Sequence, residues 1–276
     1  MYSRVYVEIT NICNRNCSFC PGTKREPNRM HTEQFGHILQ KLQDVTRYLY
    51  FHVMGEPLTH PQLPELIAMA KNAGYHPAIT TNGTLLHKCG ADLIEAGVYK
   101  VHISVHSFED GTEEEYHRYI AQCMEFADIA SQNGILVVLR LWNKGHDNGR
   151  NIDIEQILHQ RFSGEWQYGN RGITIQKNLF LEYGDRFQWP DMEAEDAGSD
   201  VFCYGLKDHF GILCDGTVIP CCLDREGTLA LGNIFEQDIQ TILQSDRALH
   251  MVQGFRNRKA SEELCRKCGY AKRFSV

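Results

Sequence analysis

Short apolar runs alternate with helix-type patterns along most of the chain, and this alternation is the strongest constraint on its fold. Because strands that alternate with helices favour parallel pairing, the pattern predicts an α/β fold, either an open doubly wound sheet or a partial barrel. The predicted strands are residues 5–9, 48–54, 76–82, 98–106, 135–142 and 172–176, and the predicted helices are 32–42, 61–74, 85–97, 113–133 and 153–162.

The residues with distinctive chemistry follow these strands. Because the carboxyl ends of parallel strands meet at one edge of a sheet or barrel, we expect these side chains to share one rim. In strand order they are Cys13, Cys17 and Cys20, then Gly55, Glu56 and Pro57, then Asn82, then Ser104 and His106, and finally Arg140.

Composition and charge exclude several classes of protein. The chain has 276 residues and a formal net charge of -7, which argues against non-specific nucleic-acid binding. We see no signal peptide and no apolar stretch long enough to span a bilayer, so we expect a cytoplasmic protein with no membrane contact. Because cytosolic thiols stay reduced, the eleven cysteines indicate metal or redox chemistry rather than disulfides.

Three of those cysteines, Cys13, Cys17 and Cys20, lie within eight residues. A closed tetrahedral zinc site needs four ligands, and the nearest histidine, His31, is eleven residues beyond Cys20. A cubane iron–sulfur cluster has four irons, so three thiolates hold three of them and leave one open. The open iron is a place for a substrate or cofactor to bind.

Cys13-x3-Cys17-x2-Cys20, with Phe19 before the last cysteine, resembles the signature of the radical S-adenosylmethionine (SAM) enzymes. The segments "GEP" at 55–57 and "TTNGTLL" at 80–86 resemble two further motifs of that family, although Met54 stands where the family commonly has glycine. The resemblance covers roughly residues 1–180 and implies a partial (β/α)6 barrel. It also implies a [4Fe–4S] cluster on Cys13, Cys17 and Cys20 whose open iron binds SAM.

By that resemblance, an electron delivered by a flavodoxin- or ferredoxin-type donor cleaves SAM to a 5′-deoxyadenosyl radical, which abstracts hydrogen from a C–H bond. The cofactor carries this chemistry, and the protein places it and excludes water. The resemblance implies SAM contacts from the backbone beside Phe19, the Gly55-Glu56-Pro57 turn, Asn82, and Ser104 and Arg140.

A second group of cysteines lies near the C-terminus, after a polar stretch that reads as a linker. A hairpin is predicted around Asp215-Gly216 and a helix over about 234–253. The group resembles the shortened "twitch" form of the SPASM extension of radical SAM enzymes, which implies one auxiliary [4Fe–4S] cluster; four thiolates would suit zinc equally well. The implied ligands are Cys203, Cys221, Cys265 and Cys268.

Two neighbouring cysteines are spare in this interpretation. Cys222 follows Cys221 on a strand and should point to the opposite face, and Cys214 is too far along the hairpin to share a compact cluster. We expect packed thiols, with a hydrogen-donor role for one of them as the alternative. The resulting organisation is a radical SAM partial barrel over 1–185, a linker over 186–202, and an auxiliary-cluster domain over 203–276.

The favoured function is a radical SAM enzyme that modifies a ribosomal peptide by crosslinking, epimerisation or oxidation. The alternative substrate is a small alcohol, such as an aminocyclitol or sugar, oxidised to a ketone. A hypothesis of another class is a non-catalytic iron–sulfur or zinc protein that uses the barrel as a binding scaffold.

Overall fold

The computed structural model describes residues 1–169, 172–196 and 198–274. Across these residues, eleven strands form one sheet in the order β11-β10-β9-β1-β2-β3-β4-β5-β8-β7-β6. The strands are β1 (Arg4–Val7), β2 (Tyr48–Tyr50), β3 (His76–Thr81), β4 (Lys100–Ser104), β5 (Leu136–Lys144), β6 (Gln167–Gly169), β7 (Gly172–Gln176), β8 (Leu179–Asp185), β9 (His209–Ile212), β10 (Thr217–Ile219) and β11 (Gly232–Asn233).

The middle of this sheet is parallel, from β9 through β1 to β5 and on to β8. It does not close, since antiparallel strands continue it at both ends. The predicted α/β fold with a partial barrel is therefore confirmed. The helices are α1 (Thr32–Lys41), α2 (Leu63–Asn72), α3 (Leu86–Ala96), α4 (Glu113–Gln132), α5 (Arg150–Arg161), α6 (Ile239–Leu243), α7 (Asp246–Arg256) and α8 (Glu263–Arg266).

Side chains alternate along each parallel strand, as strand geometry requires. One set is apolar and buried in the main core, where it packs with the apolar faces of the helices; in β4 these residues are Val101 and Ile103. The other set lines the barrel interior and is largely polar or aromatic; in β4 these residues are Lys100, His102 and Ser104. The apolar core therefore lies between the sheet and the helices, and polar and aromatic side chains line the barrel interior.

The sixth parallel strand differs from the prediction. Residues 172–176, which we expected to be that strand, form β7, and β7 is antiparallel to both of its neighbours. The sixth parallel partner is β8, which pairs with β5 and aligns Arg140 with Glu182. Asn178, with φ of +65°, lies in the tight connection between β7 and β8 and reverses the chain direction.

The C-terminal segment confirms the predicted hairpin: β9 and β10 are antiparallel, and Gly216 in their connection has φ of +86°. β9 also pairs in parallel with β1, so the hairpin extends the barrel sheet. The single helix expected over 234–253 was wrong. The chain forms α6 and α7 instead, because Ser245 interrupts the helix and its side chain accepts a hydrogen bond from the backbone N–H of Ala248 (3.4 Å).

No helix within the described parts of the chain is long and apolar enough to cross a membrane. The proposed division at 185 and 202 stays a prediction.

Candidate functional site

One large cavity, of about 1370 Å³, occupies the barrel interior and continues to the C-terminal segment. Both groups of cysteines line it. They are Cys13, Cys17, Cys20, Cys203, Cys221, Cys222, Cys265 and Cys268. The predicted rim that carries Cys13, Cys17 and Cys20 therefore faces the same cavity as the C-terminal cysteines.

The loop that carries the first three cysteines is anchored by the segment after β4. Glu109 accepts hydrogen bonds from the backbone N–H and the hydroxyl of Ser18 (2.5 and 2.6 Å). The Cys17 thiol donates to the carbonyl of Ser107 (3.5 Å), and the N–H of Cys20 donates to the carbonyl of Cys17 (3.0 Å). Three thiols on one anchored loop at the cavity mouth fit a cluster with one open iron.

Asn82 supports this loop from outside the cavity. Its side-chain amide donates to the Asn14 side-chain oxygen (2.9 Å), and Asn14 in turn donates to the Thr84 hydroxyl (2.9 Å). Since its side chain is used in these contacts and does not line the cavity, its contact with SAM stays a prediction.

The turn after β2 packs directly against the cysteine loop. Gly55 has φ of +77°, and a Cβ there would lie 2.4 Å from the carbonyl oxygen of Thr10. The N–H of Glu56 donates to the Ile12 carbonyl (2.9 Å). Of the three predicted residues of this turn, Gly55 lines the cavity, whereas Glu56 and Pro57 are buried outside it.

The buried Glu56 carboxylate connects the turn after β2 with the end of β3. It accepts hydrogen bonds from the N–H of Leu58 (3.0 Å), the hydroxyl of Thr81 (2.7 Å) and the N–H of Asn82 (2.7 Å). Burial raises the pKa of Glu56 to about 7, although these hydrogen bonds act in the opposite direction. Met54, which departs from the family pattern, is buried beside Tyr6 and Ile219.

Phe19 packs with aromatic and cationic side chains that line the cavity. Its ring centroid is 4.9 Å from that of His106, and the Arg186 guanidinium lies 5.5 Å from the ring. Trp189 donates to the Phe19 carbonyl (3.2 Å). Burial lowers the pKa of His106 to about 4, so this ring is neutral at pH 7. Sequence reasoning missed Arg186 and Trp189 because they lie in the stretch interpreted as a linker.

Ser104 and Arg140 both line the cavity, on adjacent strands in direct register. Arg140 Nε lies 3.4 Å from Glu182 Oε2, and its guanidinium lies 4.7 Å from the centre of the Trp142 ring. Sequence reasoning also missed Glu182, since its strand was not recognised. Of the SAM contacts predicted, Phe19, Gly55, Ser104 and Arg140 thus lie at the cavity wall.

The four C-terminal cysteines gather around one apolar part of the cavity. Burial is the main cause that raises the pKa of the Cys221 thiol, and the thiols of Cys203, Cys222, Cys265 and Cys268 add to it electrostatically. A Cβ on Gly205 would lie 3.5 Å from Cys203 Sγ and 3.7 Å from the Cys221 Cβ. The apolar side chains around them are Val201, Leu229, Phe255, Leu264 and Ala271.

Four thiols in an apolar pocket match the donor set of a closed iron–sulfur cluster. In the described part of the chain, no three Cys, His, Asp or Glu side chains are grouped closely enough to hold a single metal ion.

The two spare cysteines occupy different environments. Cys222 packs with Tyr6 and Met54 and lines the same cavity as Cys221. The expected placement of these two cysteines on opposite faces of a strand was wrong, because β10 ends at Ile219 and both residues lie in the bend and turn that follow it. Cys214 is buried away from it, and its thiol donates to the backbone carbonyl of Glu8 (3.1 Å). Their predicted role as packed thiols fits these contacts and stays a prediction.

Glu8 joins the two cysteine regions and was not anticipated from sequence. Its buried carboxylate accepts from Arg25 Nη1 and Nη2 (2.8 and 2.6 Å), and from the N–H groups of Met54 (3.1 Å) and Cys214 (3.3 Å). Arg25 Nε donates onward to the carbonyl of Arg225 (2.8 Å). One carboxylate thus connects the cysteine loop, the turn after β2 and the C-terminal hairpin.

Comparison with known proteins agrees with this geometry. The chain belongs to the radical SAM superfamily, whose family model matches residues 7–159. A second model, SPASM, described as an iron–sulfur cluster-binding domain, matches residues 203–269. The protein is therefore an oxidoreductase that uses S-adenosylmethionine and iron–sulfur clusters, with a SPASM-type auxiliary-cluster domain at its C-terminal side.

Three similar proteins show the range of this fold. The chain is 22% identical to the S-adenosyl-L-methionine-dependent 2-deoxy-scyllo-inosamine dehydrogenase of Niallia circulans, over 97% of this chain and 93% of that protein. The structure of BtrN with AdoMet and 2-DOIA superposes with a TM-score of 0.63 at 20% identity, covering 97% and 93% of the two chains. Streptococcus suis SuiB bound to precursor peptide SuiA gives 0.56 at 14% identity, covering 99% and 70%.

Proposed function

We propose that this protein is a radical SAM dehydrogenase that oxidises an alcohol carbon of a small, polar molecule to a carbonyl. The observation that carries the proposal is the polar barrel interior, where Arg140, Glu182 and His102 line the same cavity as the cysteine loop. Such side chains suit a hydroxyl-rich ligand, whose oxygens each need a hydrogen-bond partner when buried. The sequence favoured a peptide substrate and gave the small alcohol as the alternative; the proposal reverses this order.

Similarity along nearly the whole chain supports the same reading. The aminocyclitol dehydrogenase from Niallia circulans aligns over 97% of this chain. SuiB, which was crystallised with a peptide, shares the fold at lower identity, and 70% of it is covered. Peptide modification is therefore the second candidate.

The residues have separate roles in this proposal. Cys13, Cys17 and Cys20 would hold the cluster that binds SAM, and Cys203, Cys221, Cys265 and Cys268 would hold the auxiliary cluster. When bound, SAM and its cluster supply a hydrogen-abstracting radical, and the auxiliary cluster supplies an acceptor for the second electron of the oxidation. We expect a flavodoxin- or ferredoxin-type protein to deliver the initiating electron.

The chain's own contribution is placement and shielding. Phe19 and its neighbours His106 and Trp189 would cover the adenosyl part of SAM, and the backbone at Gly55 would face its ammonium group. Ser104 and Arg140 would contact its ribose or carboxylate, since a guanidinium matches a carboxylate with two parallel hydrogen bonds. Glu56 and Asn82 would act indirectly, by bracing the turn and the loop that make these contacts.

The test is deuterium transfer under anaerobic conditions. Reduced protein is incubated with SAM and with sugars or cyclitols deuterated at carbinol carbons, and mass spectrometry follows 5′-deoxyadenosine and the ketone. The proposal expects deuterium in 5′-deoxyadenosine with one ketone formed. Deuterium arriving from a peptide instead would establish the second candidate, and absence of any SAM cleavage would favour a non-catalytic binding protein.

A further inference from the structure

The part of the barrel interior farthest from the cysteine loop is unusually rich in cations. Lys100 opens β4 and Arg4 opens β1, so both lie at the amino ends of their strands. Arg140 lies further up, on β5. All three side chains line the same cavity, together with Tyr6, Tyr50, His52, His102 and Glu182.

Glu182 and Asp208 are acidic side chains of the same cavity, and of these Glu182 lies within ion-pair distance of one of the three cations. Glu182 lies 3.4 Å from Arg140. Within the described residues, neither Arg4 nor Lys100 has a carboxylate within ion-pair distance. Arg4 lies instead 5.7 Å from the ring centre of Tyr50. Burial is the main cause that lowers the pKa of Lys100, and the nearby charges of Arg140 and Arg4 add to it, while Glu182 acts in the opposite direction.

Two imidazole nitrogens that line the cavity with these cations also lack hydrogen-bond partners. Nδ1 of His52 and Nδ1 of His102 are buried and have no hydrogen-bond partner. Burial lowers the pKa of His52 to about 3 and that of His102 well below its usual value, so both rings are neutral and can donate one N–H. Tyr50 lies against His102, with ring centroids 5.8 Å apart. Half-buried cations and unpartnered imidazole nitrogens together suit a ligand rich in oxygen atoms.

We propose that Arg4, Tyr50, Lys100 and His102, the barrel-floor site, bind an anionic group of the substrate, either a carboxylate or a phosphate ester. The inference rests on the proposed function, because it assumes that a small substrate enters the barrel. It narrows the substrate class to acidic or phosphorylated alcohols, such as sugar acids or sugar phosphates. A cationic amine, such as the inosamine in the name of the Niallia circulans relative, would be repelled by Arg4 and Lys100.

A carboxylate could also come from the methionine part of SAM, and the experiment separates these sources. Binding of inorganic phosphate to the anaerobic holoenzyme is measured by isothermal titration calorimetry, with and without saturating SAM. Methylammonium chloride is the cationic control. We expect saturable phosphate binding at one site per chain, no methylammonium binding, and phosphate affinity unchanged by SAM.

Two substitutions test the residues. Lys100→Met and Arg4→Gln should each weaken phosphate binding by about tenfold or more, the usual effect of removing a charged hydrogen-bond donor. Lys88→Met changes an exposed lysine on α3 and should stay within about twofold of the wild type. The iron content and the circular-dichroism spectrum of all three variants should match the wild type, which shows that each is folded and loaded.

Three results would overturn the inference: phosphate fails to saturate, its binding survives both substitutions, or SAM displaces it. The last would assign the anion site to the cofactor. The proposed function fails separately, through the deuterium-transfer experiment. If deuterium comes from a peptide while phosphate binding still depends on Arg4 and Lys100, the anion site stands and the small-alcohol proposal does not.

Discussion

Gly55 is a residue whose replacement the site cannot accommodate. Its φ of +77° is a conformation that side chains with a Cβ avoid, and the carbonyl of Thr10, 2.4 Å from the position of that Cβ, is backbone and cannot rotate away. The turn after β2 can therefore approach the cysteine loop only with glycine here. This close approach keeps the turn after β2 in direct contact with the cysteine loop.

Gly55→Ala should destabilise the protein by about 2 kcal/mol or more, because strain in φ adds to a backbone clash. Gly74→Ala is the matched control, since Gly74 also has a positive φ (+86°) but open space around its Cβ position. We expect the control to lose about 1 kcal/mol. Chemical unfolding followed by circular dichroism measures both, and equal losses would contradict the close-approach argument.

The ionisation of Glu56 gives a second prediction for a single residue. Burial raises its pKa to about 7 from the usual value of 4.5, so the folded state favours the protonated form. This contribution to stability is complete below the unfolded pKa and is lost as the pH rises through 7. Relative to Glu56→Gln, which cannot titrate, the wild type should lose about 1.4 kcal/mol per pH unit between pH 5 and 7.

Urea unfolding of both proteins across that pH range measures the difference. A stability difference that stays flat would mean that the Glu56 carboxyl does not change ionisation in this window.

Glu8 and Arg25 illustrate how elements distant in sequence are joined around the site. The Glu8 side chain is fully buried and the Arg25 side chain is 17% exposed, with a closest N–O distance of 2.6 Å. Nearby, Glu226 accepts from the Thr23 hydroxyl (3.1 Å), which adds a second link between the cysteine loop and the segment after Cys222. The relative placement of the two cysteine groups therefore depends on these contacts.

Arg25→Met should cost about 3 kcal/mol, because it leaves the buried Glu8 carboxylate without its counter-charge. Arg118→Met makes the same change on the surface of α4, where Arg118 lies 3.9 Å from Glu114 and is largely exposed. That control should change stability by about 0.5 kcal/mol or less. Thermal unfolding compares the two, and a small effect of Arg25→Met would mean that the contact is not structural.

The elements also show what the sequence could and could not predict. The first five parallel strands, the five helices that follow them and the hairpin at Gly216 obey local periodicity and turn chemistry, so they were found. The sixth parallel strand was missed because local sequence does not show which of the adjacent strands β7 and β8 pairs in parallel with β5. Arg186, Glu182 and the Glu8–Arg25 pair were missed because tertiary contacts, not spacing, give them their roles.

At the scale of the whole molecule, one cavity connects an open set of three cysteines with a closed set of four. β9 pairs with β1, so the hairpin that carries Cys221 is continuous with the strand that leads into Cys13. The loop that carries the first cysteine set and the hairpin that leads to Cys221 therefore follow neighbouring strands of one sheet. A substrate in this cavity would share one space with both cysteine sets, as the proposed oxidation requires.

Iron and sulfide content of the anaerobically reconstituted protein tests this account most directly. Two cubane clusters predict about eight irons and eight sulfides per chain. Replacing Cys13, Cys17 and Cys20 with alanine should leave about four irons and abolish SAM cleavage. Replacing Cys203, Cys221, Cys265 and Cys268 should also leave about four irons but retain SAM cleavage. A wild-type value near four irons, or zinc in the place of the second set, would contradict the account.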